Sequence, residues 1–448
     1  MVRIAQTVEA AFEVESTYGD PPGTSLTHLG LLDTFDPRAQ EMNITPVPSL
    51  GQSTDAFHAS GPIAVNLPLK VACQGTGWQQ LLGRAIGSTT EYGSTKSPSK
   101  LTNTPDSLAI LARDTAGDYT LVTGVVPNEV TLEADYTTGG YITLDSSCTA
   151  FYTQDDTDAN FAGFLEPDGG GGSDYSAVTW PAASTSDPLI PSDLTVSYAA
   201  ATDDDALQLT DTAGKYVEVG ERYLKFFLAN GNAETEYDGD GPDNAAIVSD
   251  GVIDLDHANV NIISELMTVL NGAHSGTPVA KGSGSDNYDT SNLLKGIYKM
   301  TGSAVNIPCV ADTDETLTAF NNLKTVSLKI ANNNTPIPAR TLGQDGSTVK
   351  WLQHSKIRRG KADVTLDLTM TSEDETLYDM YKDKTTIPLV RLDLGTNGSI
   401  ALTNGTITSF TRPLSAGGET TDTVSIKFRG NGDFLNYSSY AISADWAL

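Results

Sequence analysis

Gly61-Pro-Ile-Ala-Val-Asn-Leu-Pro-Leu-Lys-Val71 aligns without a gap on Gly360-Lys-Ala-Asp-Val-Thr-Leu-Asp-Leu-Thr-Met370, at an offset of 299 residues (360 less 61). Ile63, Val65, Leu67, Leu69 and Val71 fall on one face of the first stretch, and Val364, Leu366, Leu368 and Met370 on one face of the second. Apolar residues at every second position mark strands buried on one side. Each strand runs into a helical pattern. Trp78, Leu81, Leu82 and Ala85 follow Gly75 and Gly77, and Leu377, Met380 and Tyr381 follow an acidic first turn, Ser372-Glu373-Asp374-Glu375, that resembles a capping box. The same offset carries Trp78 onto Leu377, Leu81 onto Met380 and Leu82 onto Tyr381, so strand and helix stay in register together.

Further correspondences flank this pair. Leu50-Gly51-Gln52 recurs as Leu342-Gly343-Gln344, and the Gly139-Gly140 turn between alternating strands recurs as Gly417-Gly418. Additional strands are expected at Tyr119 to Val126, Val130 to Ala134, Tyr141 to Leu144, Val326 to Ile330, Leu389 to Leu394, Ile407 to Phe410 and Val424 to Phe428. The preferred account is a diverged internal duplication; chance matching between β-rich segments is the competing one. Pro167-Asp168-Gly169-Gly170-Gly171-Gly172-Ser173 reads as a joint, and the stretch beyond it carries strand-like Leu194 to Tyr198 and Tyr223 to Leu228 and a helix at Val260 to Leu270. The expected organisation is 1–155 and 303–448 as two similar mainly β domains, with an inserted, outward-facing α+β domain at 156–302.

The 448 residues carry 57 acidic and 27 basic side chains, a formal net charge of -30. A chain that grips nucleic acid needs clustered Lys and Arg to displace counterions, so a broad phosphate-binding surface is excluded. The acidity fits adaptation to molar salt, where screening over about 3 Å removes self-repulsion; ordinary acidic solubility is the other reading. Cys73, Cys148 and Cys309 have neither CxxC spacing nor an even count, and are expected to be free and buried. Met1 to Gln6 shows no apolar signal core, and no stretch approaches the roughly 18 apolar residues that span a bilayer. A cytosolic protein without membrane contact is expected.

No chemistry-bearing motif emerges. His28, His58, His257, His274 and His354 show no zinc spacing and read as surface or loop residues. Lys281-Gly-Ser-Gly-Ser285 lies in a polar loop without a preceding strand, so nucleotide chemistry is unsupported. Carboxylate clusters at Asp155-Asp156-Thr-Asp158 and Asp203-Asp204-Asp205 raise glycoside hydrolysis, but a chain this acidic produces them by composition. Asp238, Asp240 and Asp243 form a candidate calcium loop without the full EF-hand pattern. Neither cofactor nor enzymatic activity is expected. Lys356, Arg358, Arg359 and Lys361 form a basic knot, read either as a solvated strand approach or as the complement of a neighbour's acidic surface.

In the order of these features the chain resembles the major tail tube proteins of long-tailed (siphovirus-type) viruses. The resemblance rests on Glu15-Ser-Thr-Tyr-Gly19-Asp-Pro-Pro, on the Gly-led strand and helix at 61–87 and 360–383, and on the late hairpins at 130–144 and 407–428. It implies β-barrel or sandwich domains, each with a flanking helix, whose strands join neighbours into a ring. Such rings are usually hexamers of single domains, so a duplicated chain implies a homotrimer with pseudo-sixfold symmetry, here from a haloarchaeal virus. It also implies tape measure, tail terminator and baseplate partners, transient passage of genomic DNA, and a place in the virion tail after assembly in the host cytoplasm. Subunit contacts are expected at Val65, Leu67, Val364, Leu366 and the basic knot. The large middle insertion departs from the family pattern. A secreted or cell-surface adhesion module is the alternative function.

Overall fold

The computed structural model describes residues 9–15, 26–35, 40–48, 55–86, 107–113, 119–150, 152–155, 180–182, 184–199, 201–220, 222–228, 246–273, 279–281, 285–310, 317–338, 354–358, 360–372, 375–413, 420–429, 432–433, 437–439 and 442–445. The fold is mainly β. An N-terminal body holds β1 (Glu9–Val14), β2 (Thr27–His28), β3 (Leu32–Phe35), β4 (Gln40–Pro48), β5 (Asp55–Ala72), α1 (Gly77–Ile86), β6 (Leu108–Arg113), β7 (Tyr119–Asp135), β8 (Thr143–Ala150) and β9 (Tyr152–Asp155). Next come β10 (Thr195–Ala199) and a middle unit of β11 (Asp203–Leu209), β12 (Lys215–Val219), β13 (Tyr223–Leu228), β14 (Ile247–Ser249), β15 (Val252–Asp254), α2 (Ile263–Ala273), β16 (Val279–Lys281), β17 (Gly296–Lys299) and β18 (Val305–Cys309). The C-terminal body continues with β19 (Thr318–Ala319), β20 (Leu323–Ala331), β21 (Thr335–Pro338), β22 (His354–Arg358), β23 (Asp363–Thr371), α3 (Thr376–Asp383), β24 (Thr386–Asp393), β25 (Ser399–Thr411) and β26 (Thr421–Phe428), then β27 (Gly432–Asp433), β28 (Tyr437–Ser439) and β29 (Ile442–Asp445).

The two bodies share one pairing scheme, antiparallel throughout. In the first, β1 pairs with β2 and β6, β3 and β4 with β5, β5 with β8, β6 with β7, and β7 with β8 and β9. In the second, β10 pairs with β19 and β24, β20 with β23, β21 with β22, β23 with β26, β24 with β25, and β25 with β26 and β29. Reading β10 for β1, β19 for β2, β20 for β3, β21 for β4, β22 and β23 for β5, and β24, β25, β26 and β29 for β6 to β9 turns the first scheme into the second. Even a bulge recurs, between Leu32 and Thr34 in the β3–β5 ladder and between Leu323 and Thr325 in the β20–β23 ladder. Such extra residues re-aim a strand and fix its register.

The alternation read at 61–71 and 360–370 has its physical outcome here. Leu67, Leu69, Val71, Val364, Leu366, Leu368 and Met370 enter one hydrophobic core that both bodies share. Trp78, Leu81 and Leu82 close it from α1, all but inaccessible to solvent. Burying a large side chain this fully contributes about 1.5–3 kcal/mol. At the first turn of α1, a Cβ on Gly77 would stand 2.5 Å from the His28 carbonyl oxygen and 2.6 Å from that of Leu29. Both belong to backbone that β1 holds, with Leu29 N donating to Ala10 O at 3.0 Å. Gly77→Ala is therefore expected to cost about 1–3 kcal/mol, the usual range for overpacking, in equilibrium urea unfolding. An unchanged midpoint would show that the β2 segment yields freely.

The middle unit has its own core, formed by residues between Ala206 and Cys309 with Leu266 and Leu270 of α2 inside it. The chain enters this unit only after β10, because Thr195–Ala199 pairs with Leu389–Asp393 of β24. The unit thus occupies the β10–β19 connection, where the N-terminal body has its β1–β2 connection. The segment Leu194 to Tyr198, assigned from composition to the inserted domain, lies in the C-terminal body instead. In return β28 pairs with β17, tying the C-terminal segment onto the middle unit. Arg391 of β24 also reaches it, donating to Ser291 O at 2.5 Å and Asn292 Oδ1 at 3.3 Å.

Candidate assembly interface

One sheet runs through both bodies in the order β5, β8, β7, β20, β23, β26, β25. Its cross-strand rows can be followed from one body to the other. Val71, Leu144, Leu132, Leu328, Leu366, Ile426 and Ile407 stand in one line and are all buried. One residue along, Lys70, Asp145, Thr131, Lys329, Thr365, Lys427 and Thr406 stand in the next line, on the opposite face. That opposite face is polar: Glu133, Ser327, Asp367, Ser425 and Ser409 make another row, and Asp135, Thr325, Thr369, Thr423 and Thr411 another.

Three lysines of this face are paired with carboxylates, and Lys324 donates to the Thr421 hydroxyl at 3.0 Å. Lys329 pairs with Glu129 at 2.6 Å, Lys427 with Asp363 at 2.7 Å and, more loosely, Lys70 with Asp33 at 3.9 Å. The hydrogen bond from Lys427 holds the Asp363 carboxyl below its usual range. Asp145, Glu133 and Asp367 have no lysine partner among the described residues, so the face is acidic on balance. Such half-exposed pairs contribute little stability, about 0–1 kcal/mol each; their effect is on the potential over the sheet. Asp135 closes the β7–β8 hairpin beside Gly139 and Gly140, both at positive φ. Its carboxylate accepts from the Thr137 hydroxyl and, by their N–H groups, from Thr137 and Thr138. The Thr137 hydroxyl bond is the main cause that lowers its pKa to about 2. A depressed carboxyl pKa stabilises the fold above the unfolded value near 3.9, and the contribution fades as pH falls toward 2. The stability gap between the wild type and Thr137→Val should therefore close between pH 5 and 2; a gap that is constant across that range would rule the hydrogen bond out as its source.

The bodies meet where β7 exchanges β6 for β20. Glu129 to Asp135 pair residue by residue with Ala331 to Thr325. Asn332, 1% exposed, fixes this junction. Its Nδ2 donates to Ala85 O of α1 at 2.9 Å and Pro127 O at 3.2 Å, its N–H donates to Asn128 O at 2.7 Å, and its carbonyl accepts from Gly360 N at 3.1 Å. Asn334 adds bonds to Asn128 Oδ1 and Pro127 O, and Gln79 of α1 donates to Asn397 O at 2.8 Å. Tyr136 donates its hydroxyl to Leu194 O, and burial pushes its pKa up to about 12.

Several residues singled out in the sequence stand elsewhere. Leu67, Val364 and Leu366, expected at subunit contacts, are fully buried in the chain's own core. Their strands are paired on both edges, β23 by β20 and β26, and β5 by β3, β4 and β8. Those side chains pack within the chain, because alternation reports that a face is covered and not by which chain. Val65 is placed by its backbone pairing with Ala150 and Gln40. Of the basic knot, Lys356 pairs through its backbone with Ile337, while Arg358 and Lys361 are exposed. Arg359, Asp238, Asp240 and Asp243 lie outside the described residues, as do the Pro167–Ser173 run, Ser16 to Pro22, both Leu-Gly-Gln segments and Gly417-Gly418. His28 stands half-buried in β2 rather than in a loop, and accepts from Gly30 N at 3.1 Å. The three cysteines are free and buried, and desolvation raises each thiol, Cys148 and Cys309 to about 12. Protonated thiols of this kind are poor nucleophiles. Among the described residues no three His, Cys, Asp or Glu side chains gather as metal ligands, and no helix is long and apolar enough to cross a membrane.

No protein-family model matches the chain, and no curated protein matches it. Among solved structures, the tail of an empty gene transfer agent (GTA) particle, computed with helical refinement in C6 symmetry, aligns at 15% identity and a TM-score of 0.20, over 29% of this chain and 90% of that one. The virion of a native GTA particle aligns at 14% identity and 0.20, over 36% and 98%. The six-fold symmetrised baseplate of the anti-feeding prophage aligns at 7% identity and 0.23, over 35% and 95%.

Proposed function

We propose that this protein is a structural subunit of a virion tail tube, in which a duplicated tube domain forms stacked rings that conduct a genome during ejection. The observation that carries the reading is the continuous sheet: two bodies of identical pairing scheme, joined strand to strand, with one face in the core and the other acidic. A protein built from two such units already contains one ring contact inside its chain. Repeating that contact closes a ring without free strand edges, and stacking rings head to tail gives a filament. Three chains then supply six domains. The polar face becomes the lumen wall, acidic on balance and with three of its lysines held by carboxylates, and so offers a phosphate backbone little to grip.

In this reading the protein acts without a cofactor and without enzymatic chemistry. Its partners are its own copies, a tape measure protein in the lumen, terminator and baseplate proteins at the ends, and passing DNA. It is assembled in the host cytoplasm into the tail, and its acidity suits a host living in high salt. Negative-stain microscopy with mass photometry, from low to multimolar salt, tests this. Hollow rings or tubes of trimeric mass with sixfold appearance are expected. Featureless monomers at every salt would sink the tube and favour the surface-binding module.

A further inference from the structure

The helices α1 and α3 occupy equivalent places, α1 packed on β7 and α3 on β25, yet their surroundings differ sharply. Nine of the ten residues of α1 are buried, whereas Leu377 is the buried residue of α3. What covers α1 is the C-terminal body, through Asn397, Asn332 and the neighbouring β29. At the offset of 299, Gln79 corresponds to Tyr378 and Leu82 to Tyr381. These tyrosines are 40% and 38% exposed, and their rings lie 5.4 and 6.2 Å from that of Phe410 on β25. An aromatic cluster thus stands open where the equivalent surface is covered.

The strand edges show the same contrast. The end of β7 takes β20, but Ile407–Thr411 of β25 pairs with β26 alone among the described residues. In the N-terminal body β3 pairs with β5 alone among the described residues. Its counterpart β20 is covered by β7, where Val326 is 2% exposed. The shared bulge places Phe35 opposite Leu69 as Val326 stands opposite Leu368; Phe35 is half-buried, and Leu31, at the other end of β3, is 50% exposed. The open edges are therefore the two halves of the contact that the chain already makes once internally.

We propose that the face formed by α3 and the end of β25 docks the N-terminal body of a second copy of this chain, with β3 adding to β25 as β20 adds to β7. This deepens the tube reading and rests on it. The contact is heterologous and head to tail, so it closes wherever its rotation divides the circle. Its centre is the Tyr378, Tyr381 and Phe410 cluster, with aromatic anchors of the kind that dominate interfaces.

The test uses the full chain with a benzophenone amino acid at Tyr378, mixed as light and nitrogen-15 chains, irradiated after assembly and mapped by mass spectrometry. Mixed-isotope products joining position 378 to peptides of the N-terminal body are expected. Tyr378→Glu with Tyr381→Glu should lower the assembled fraction at least tenfold while the circular dichroism spectrum is unchanged. Rings whose cross-links reach the middle unit or the C-terminal body overturn this contact and leave the tube standing. A folded double variant that assembles like the wild type also overturns it; if that variant misfolds, the cross-link map decides. A wild-type chain that stays monomeric at every salt overturns the tube reading, and this contact with it.

Discussion

Asn332→Asp is expected to lower the unfolding free energy by about 3–5 kcal/mol, the range seen when a buried charge is left uncompensated. The change adds almost no volume, so packing is not its cause. Asn332 is 1% exposed and its amide nitrogen faces the carbonyl oxygens of Ala85 and Pro127. A carboxylate there loses both donated bonds and opposes two acceptors in a site that water cannot reach, where each unpaired group costs about 1–3 kcal/mol. The introduced carboxyl escapes part of this by staying protonated, so the penalty should shrink below pH 5. Asn332→Ala, which removes the donor without adding charge, should cost about 2 kcal/mol by the same reasoning. Guanidinium unfolding of both variants at pH 7 and pH 4.5 measures the difference. Equal costs at pH 7 would show that the introduced charge adds nothing to the loss of the donor, and an Asn332→Ala without cost would show that the amide nitrogen contributes nothing across the junction.

Much of the sheet could be read from the chain. Alternation located β5, β20, β23, β24, β25 and β26, and the offset of 299 aligned strand with helix in both bodies. Other features left no periodic trace. The sequence suggests strands at 119–126 and 130–134, but β7 is continuous and Pro127 and Asn128 sit at a register shift against β8. There the strand exchanges one neighbour for another, and a change of partner breaks the alternation without ending the strand. Composition changes at the glycine run and sets the start of the middle unit there, whereas pairing between β10 and β24 decides which body a strand joins. Gln79 and Asn332 make the junction through single buried amides, which no spacing rule marks. One signal did exist: positions where the two aligned segments disagree, Gln79 against Tyr378 and Leu82 against Tyr381, mark the difference between the covered helix α1 and the exposed face of α3.

The polar face of the sheet supports the second large effect. Seven carboxylates (Asp33, Glu129, Glu133, Asp135, Asp145, Asp363 and Asp367) stand against four lysines (Lys70, Lys324, Lys329 and Lys427), so these residues of the face carry a net charge of −3 per chain. Glu133→Lys, Asp145→Lys and Asp367→Lys together change it by six, to +3, without touching a residue that pairs with a lysine. Assembled rings of this triple variant should hold duplex DNA that the wild type leaves free. With three phosphate contacts in all, the affinity should fall by a factor of about 500 for each tenfold rise in salt. Fluorescence anisotropy of a labelled short duplex, stepped upward from the lowest salt at which rings persist, reads both quantities. Asp204→Lys, Asp250→Lys and Asp256→Lys on the exposed surface of the middle unit make the same change in net charge and serve as the control. If the control binds as tightly and as salt-dependently as the triple variant, charge alone accounts for the effect and the sheet face has no claim to be the lumen. If the triple variant alone binds, and assembled tubes carrying it also slow the passage of DNA, the acidic wall is what lets a genome slide: its excess of carboxylates leaves few free cations to displace the counterions condensed on the phosphates.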